Sequence, residues 1–308
     1  MAPRGTPSTD QRSRPLPTLA GLAALALLAG CGATAETPAP RPTMPTVALL
    51  SDFGNKDSYV AEMKGALLSV QPEVNLVDLS HEIEPFNVSQ GAYLIDQMAS
   101  AFPRGTVLVG VVDPGTGSKH DPILIETDAG KYYLGPNNGI FSIVIAREGL
   151  ANAWKLNNAD FFPPEAMGST FHGRDVFAPA AGHLVSGVAP DELGEAITTR
   201  ELELPGVLQP AKAGSHIIAD VIHIDRFGNV LTSLPKGFTP LLQEGKLANI
   251  TVNKQKHTTP VAVSFADMEK DRLFLIFGSS GVLEIARKEG SAAEMLQAKV
   301  GDKVTIQP

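Results

Sequence analysis

A single cysteine, Cys31, among 308 residues excludes an intramolecular disulfide, a CxxC redox pair, a cysteine-rich zinc site and a catalytic thiol. There is no GxxxxGK[ST] phosphate loop, and "GTGSKH" supplies only the first two glycines of a dinucleotide fingerprint before His120 stands in the third place. Positive charge is also short: the formal net charge is −8. That balance excludes a surface built for nucleic acid or anionic lipid. What remains is a globular composition, 43% hydrophobic and 19% charged, in a chain long enough for two ordinary cores.

Residues 1–31 read as a signal to be removed. Arg4, Arg12 and Arg14 precede an apolar run from Leu19 to Gly30, too short to span a bilayer, which ends in Leu28-Ala29-Gly30-Cys31. That tetrapeptide resembles the lipobox of bacterial lipoproteins, which makes Cys31 the expected lipidation site, with no aspartate after it. The expectation is an exported protein, lipid-anchored to a bacterial membrane and facing the periplasm; an ordinary signal peptide is the alternative. Removing the leader leaves 22 basic against 32 acidic residues, a net −10. Residues 32–45, "GATAETPAPRPTMP", read as a proline-rich tether.

From Thr46 onward strand and helix patterns alternate. "TVALL" is followed by a helix with Asp57 as N-cap and Val60, Met63, Leu67 and Leu68 on one face. A strand "VNLVDL", a helix from about Val88 to Ala101 and a strand "TVLVGVVD" come next. Two further β-like runs surround a DAG turn, Asn137-Asn138-Gly139 leads into a helix, and another helix lies near Asp175 to Ser186. This predicts an α/β domain over 46–195 with a mostly parallel sheet. Beyond Leu204 the short runs "HIIADVIHID", "NVLTSL", "NITVN", "VAVSF", "LFLIFG" and "KVTIQP" predict a smaller β-barrel-like domain over 205–308.

Carboxylates stand where strands end: Asp52, Asp78 and Asp113. Open α/β sheets place ligands there, and a ribose diol suits a fixed carboxylate. Asp52 reads equally as a turn residue. Asp113 is more telling, because Pro114, Gly115 and Gly117 let backbone approach a ligand while the acid orients a water or takes its proton. His172, in "STFHGRD", is either a structural histidine or a proton carrier. A metal set of His172, Asp175 and His183 matches no helical ligand spacing, and none is expected. "IDRFGNV" offers Asp225 and Asn229, or a bare β-turn; "GSSGVLEIARKEGSAAE" pairs Ser279-Ser280 with Arg287.

Taken in order, "SDFGNKDSYVAEMKGALL", "VDLSHEI", "FPRGTVLVGVVDPGTG", "GPNNGIFS", "STFHGRDVFAPAAGHL", "IDRFGNV" and "GSSGVLEIARKEGSAAE" resemble the adenosine-forming S-adenosylmethionine hydrolases, or hydroxide adenosyltransferases. That family is related to fluorinase and chlorinase. The resemblance covers nearly all of 46–308. It implies a homotrimer with active sites at subunit contacts, no cofactor, and S-adenosylmethionine or a related nucleoside as ligand. By position, Asp52 holds the ribose hydroxyls, Asn229 and Arg287 lie at the adenine, and Asp225 and Ser280 meet the methionine end. Asp57, Phe86 and Asn138 fall in blocks lining the same pocket. Asp113 and His172 match two members of an Asp-Arg-His set that handles the attacking water.

One departure stands out. The arginine of that set, seven residues after the acid, is His120 here, beside Lys119. Histidine lacks the permanent charge and planar fork of donors. Asn137 stands where hydrolases usually carry Asp and the halogenase branch carries Asn. The halogenases replace the strand-end acid with an aromatic residue and His-Gly with Tyr-Ser, whereas this chain has Asp113 and His172-Gly173. Hydrolysis to adenosine and methionine is therefore expected; a catalytically silent adenosine- or S-adenosylmethionine-binding lipoprotein is the alternative.

Overall fold

Val47 to Leu50 have no exposed surface, so the first strand is covered on both faces, as a near-continuous apolar run requires. The computed structural model describes residues 44–117, 120–204, 209–238, 240 and 242–308. The signal, Cys31, nearly all of the tether and Lys119 lie outside the described residues.

The first half is built on β1 (Thr46–Ser51), with β2 (Asn75–Ser80) on one side and β3 (Val107–Val111) on the other, both parallel to it. The crossovers run through α1 (Tyr59–Val70) and α2 (Val88–Ala99). β4 (Pro122–Glu126) and β5 (Tyr132–Pro136) form an antiparallel pair in which β5 lies parallel to β3. α3 (Ser142–Glu148), β6 (Asn152–Leu156) and α4 (Pro164–Met167) follow. A π-helical turn, Gly173–Phe177, then feeds α5 (Ala178–Val185), α6 (Pro190–Leu193) and β7 (Gly194–Ala196). The sheet order is β2-β1-β3-β5-β4-β6-β7. One face buries Met63, Leu67, Val176 and Phe177; the other buries Ile95, Ala99, Phe141 and Val144.

Four local expectations are corrected. The residue before α1 is Ser58, not Asp57; its hydroxyl donates to Glu62 Oε1 at 2.6 Å, and Asp57 is exposed in the turn before it. α2 stops at Ala99, two residues early, and Leu68 of α1 faces solvent. Asp78 lies inside β2 rather than after it, paired to Lys64 at 2.6 Å.

The second half holds β8 (Ala211–Ala213), β9 (His216–Ile224), β10 (Val230–Pro235), β11 (Leu247–Val252), β12 (Gln255–Pro260), β13 (Leu273–Phe277), β14 (Val282–Arg287), α7 (Ala292–Leu296) and β15 (Lys303–Gln307). The order β12-β11-β15-β9-β10-β14-β13 nearly closes into a barrel, because a Val261–Leu275 bridge joins its two ends. Its interior is filled by Val221, Ile250, Leu275, Ile285 and Ile306. The polar run "QKHTTP" supplies β12, and "VAVSF" contributes only that bridge. β14 was not among the expected runs; it carries Glu284 on the half-buried face of its strand.

Residues 43–308 form one compact unit. Tyr93 packs with Ile222 and Leu231, and Gln90 Nε2 lies 3.1 Å from His223 Nδ1. Among the described residues no helix is long and apolar enough to cross a membrane.

Asn137 ties the first sheet to the following segment. Its Nδ2 donates to the Glu201 carbonyl and its Oδ1 accepts from Glu203 N–H, both at 2.8 Å. Only an amide does both. Asn137→Asp should therefore destabilise the protein by about 1–3 kcal/mol, the cost of a buried unpaired carbonyl, read as a lower denaturant midpoint at unchanged slope.

Candidate active site

Because β2 and β3 lie on opposite sides of β1, the chain leaving β1 and the chain leaving β3 part at a switch point of the sheet, where a crevice must open. A cavity of about 370 Å³ sits there, lined by Asp52, Phe53, Tyr59, Pro85, Phe86, Val111, Asp113, Thr116, Thr170 and Phe171. It falls in the ordinary size range of ligand sites. Two carboxylates thus converge with an aromatic wall, in which Phe53, Tyr59 and Phe171 meet with centroids 5.3–5.8 Å apart.

Asp113 is held asymmetrically. Its Oδ1 accepts from Gly115 N–H at 2.9 Å and from His120 Nδ1–H at 2.7 Å. Its Oδ2 is buried and has no hydrogen-bond partner among the described residues. A carboxylate only accepts, so the His120 proton is on Nδ1. Behind the acid, Asn138 Nδ2 donates to the Val112 carbonyl at 2.8 Å while Asn138 Oδ1 accepts from Ile140 N–H. Gly117, at φ +75°, brings the loop against the Ser169 carbonyl, where a Cβ would sit only 2.9 Å away.

Asp52 Oδ2 accepts the Phe86 N–H at 2.9 Å. Burial pushes its carboxyl up from the usual range; the Phe86 and Asp52 backbone amides oppose this, and the nearby Asp113 adds to it. Phe86 itself adopts φ +67° and leaves its ring 70% exposed.

His172 is placed differently from the expectation. It is 4% exposed, its Nε2–H donates to the Met167 carbonyl at 2.9 Å, and its ring meets Phe177 edge-on. Its neighbours Thr170 and Phe171 line the cavity, but no hydrogen bond joins His172 to Asp113; His120 is the imidazole in contact with the acid. Gly173 lets Phe53 and Phe171 close in, since a Cβ would stand 3.0–3.1 Å from both rings. Asp175 is taken by Arg174 at 2.6 and 2.9 Å, and His183 packs on Phe161. Asp57 and Asn138 do not line the cavity.

The second half carries another cavity, about 460 Å³, lined by Phe227, Asn229, Phe265, Arg287, Glu289, Gly290 and Ser291. Asp225 is consumed in shaping it: Oδ1 accepts from Phe227 and Asn229 N–H, and Oδ2 from Asn229 Nδ2 at 2.8 Å. Arg287 Nη2 donates to Asp271 at 3.1 Å. Ser280 does not line this cavity; it bonds Tyr93 and Glu284, whose carboxyl burial raises despite Ser280 and with help from Asp225. Sequence reasoning missed Phe53, Tyr59, Thr116 and Phe171. The signal available was adjacency, since Phe53 follows Asp52 and Phe171 precedes His172.

A parallel-edged α/β half joined to a near-closed barrel, with acids at the switch point, defines a two-part class of proteins. The chain matches the models of the SAM hydroxide adenosyltransferase N-terminal domain over residues 47–194 and C-terminal domain over 219–305, and belongs to that family. Relatives include the (R)-S-adenosyl-L-methionine hydrolases of Thermus thermophilus, 34% identical over 85% of this chain and 100% of that one, and Methanocaldococcus jannaschii, 32% identical over 84% and 95%. A fluorinase of an Actinoplanes species is 29% identical over 85% and 97%. An uncharacterised conserved protein of Thermotoga maritima shares the fold at TM-score 0.77 and 30% identity, covering 85% of this chain and all of that one.

Asp52 binds its proton more tightly folded than unfolded. Its favourable contribution is therefore fully present at low pH, below the unfolded carboxylate range, and lost as pH rises through the raised folded value. Asp52→Asn should melt higher than wild type at neutral pH, with the gap closing towards about pH 4. Calorimetry at both pH values checks this; an equal gap at each would contradict it.

Proposed function

We propose that this protein hydrolyses S-adenosylmethionine to adenosine and L-methionine by in-line attack of water at ribose C5′. The carrying observation is that Asp113, whose Oδ2 has no hydrogen-bond partner among the described residues, lines one cavity with Asp52. Asp52 takes the ribose hydroxyls and the rings of Phe53, Tyr59 and Phe171 exclude solvent. Asp113 Oδ2 accepts one proton of the attacking water as its oxygen bonds to C5′. The C5′–sulfur bond breaks and its electron pair returns to sulfur, so methionine leaves as a neutral thioether. A sulfonium needs no acid to depart, so placement and deprotonation of water suffice. His120 fixes the acid by its hydrogen bond to Oδ1, while His172 holds the wall through Met167.

In this reading Asn229 and Arg287 bind adenine, and Asp225 and Ser280 serve the methionine end, with Asp225 acting through the turn it shapes. Exposed aromatic rings at both cavities, Phe86 at 70% and Phe227 at 77%, support a homotrimer that covers them at subunit contacts. The leader sequence supports export and lipid anchoring at Cys31 to a bacterial membrane, facing the periplasm.

Purified protein incubated with S-adenosylmethionine should release adenosine, followed by chromatography. Asp113→Asn should lower turnover by about 10²–10⁴-fold, the usual worth of a positioned general base. His120→Arg should hold or raise it. Binding of adenosine without any product would favour the silent binding protein instead.

A further inference from the structure

Four side chains of the first half form a hydrogen-bonded chain that the proposed chemistry leaves unused. Lys64 Nζ donates to Asp78 Oδ2 at 2.6 Å, and Asp78 Oδ1 accepts from His81 Nε2–H at 3.2 Å. His81 Nδ1 lies 2.7 Å from Ser51 Oγ. With the imidazole proton on Nε2, Nδ1 accepts the Ser51 hydroxyl proton. The Ser51 oxygen is then free to accept from Phe53 N–H at 3.3 Å. Every link has a donor and an acceptor, and two arms converge on Asp78: one from Lys64, the other from Phe53 N–H through Ser51 and His81.

The composition, serine–histidine–aspartate, is that of a hydrolytic triad, but Ser51 has no exposed surface and His81 only 3%. No substrate reaches that hydroxyl. All of its effect is delivered to one turn: the Phe53 amide is held by Ser51, and the Gly54 N–H donates to the His81 carbonyl at 2.7 Å. Asp52 lies between Ser51 and Phe53, the two ends of the first of these bonds. On its far side it grips the Phe86 N–H, and Phe86 occupies a left-handed conformation that disfavours a residue with a Cβ.

We propose that the Lys64–Asp78–His81–Ser51 chain is a positioning device: it sets the 51–54 turn so that Asp52 faces the Asp113 cavity and keeps Phe86 in its left-handed state. Its role in ligand affinity rests on the function proposed above. Its role in positioning does not. The turn connects the end of β1 to the end of β2, so the same contacts transmit the rigidity of two strands to a carboxylate that stands beyond both.

The test uses the full-length protein with Ser51→Ala and His81→Leu, read by amide hydrogen exchange, adenosine affinity and steady-state kinetics. In Ser51→Ala the amides of Phe53, Gly54 and Phe86 should exchange about tenfold faster, matching the loss of one buried hydrogen bond, while those of Val109 and Leu134 stay as in wild type. The adenosine Kd and the KM should rise about tenfold with kcat within about twofold. Phe86 is decisive, because its amide bonds to Asp52 and no hydrogen bond joins it to Ser51 or His81. Unchanged exchange at Phe86, or changed exchange with unchanged Kd in a protein whose wild type binds adenosine, overturns the proposal. Should wild type bind no adenosine, the proposed function fails and the Phe86 amide still decides the positioning claim. If His81→Leu does not fold, Ser51→Ala, which removes a single oxygen, decides between the two outcomes.

Discussion

The two oxygens of Asp113 are treated differently by their surroundings, and most of the site follows from that difference. Oδ1 is saturated by the Gly115 amide and His120, while Oδ2 is buried without a partner among the described residues. An unpaired buried acceptor costs about 1–3 kcal/mol, so it persists only where the backbone has no alternative. Here it has none. β3 is buried along its whole length, Asn138 holds the Val112 carbonyl, and Gly117 docks the following turn against Ser169. Strand, clamp and turn together hold the acid with Oδ2 unpaired.

The location follows from topology rather than from any motif. β1 has its parallel neighbours on opposite sides, so Asp52 and Asp113 emerge from adjacent strand ends whose chains diverge. The halves of the chain then divide the labour. The first supplies acids and an aromatic wall; the second supplies an amide and a guanidinium around a separate hollow, with Asp225 spending both oxygens on the turn that aims Asn229. A side chain spent in this way still governs the site, through geometry instead of contact.

Much of this was legible in the residues, and the misses have physical causes. Asp52, Asp113 and Phe86 were singled out from local features, strand-end acids and the blocks around them, and all three line one cavity. Asp78 misled because β2 runs on to Ser80, past "LVD", which local pattern does not show. His172 was paired with Asp113 by position, yet its Nε2 is committed to Met167, a backbone partner that sequence cannot reveal. β12 and β14 hid for a common reason: "QKHTTP" alternates polar residues at a barrel edge, and Glu284 interrupts an apolar run on a half-buried face. Barrel strands follow pairing more than propensity.

The replacement of arginine by His120 can be weighed in the same terms. A guanidinium at this place would offer a fork of donors able to cover both carboxylate oxygens, and would add a permanent positive charge. An imidazole Nδ1–H covers one oxygen only, and the structure shows it on Oδ1. Charge stabilisation is thereby reduced, which weakens the site as an anion holder. The chain thus gives up a permanent charge and a fork of donors beside Asp113, while the imidazole still keeps the carboxylate oriented through Oδ1.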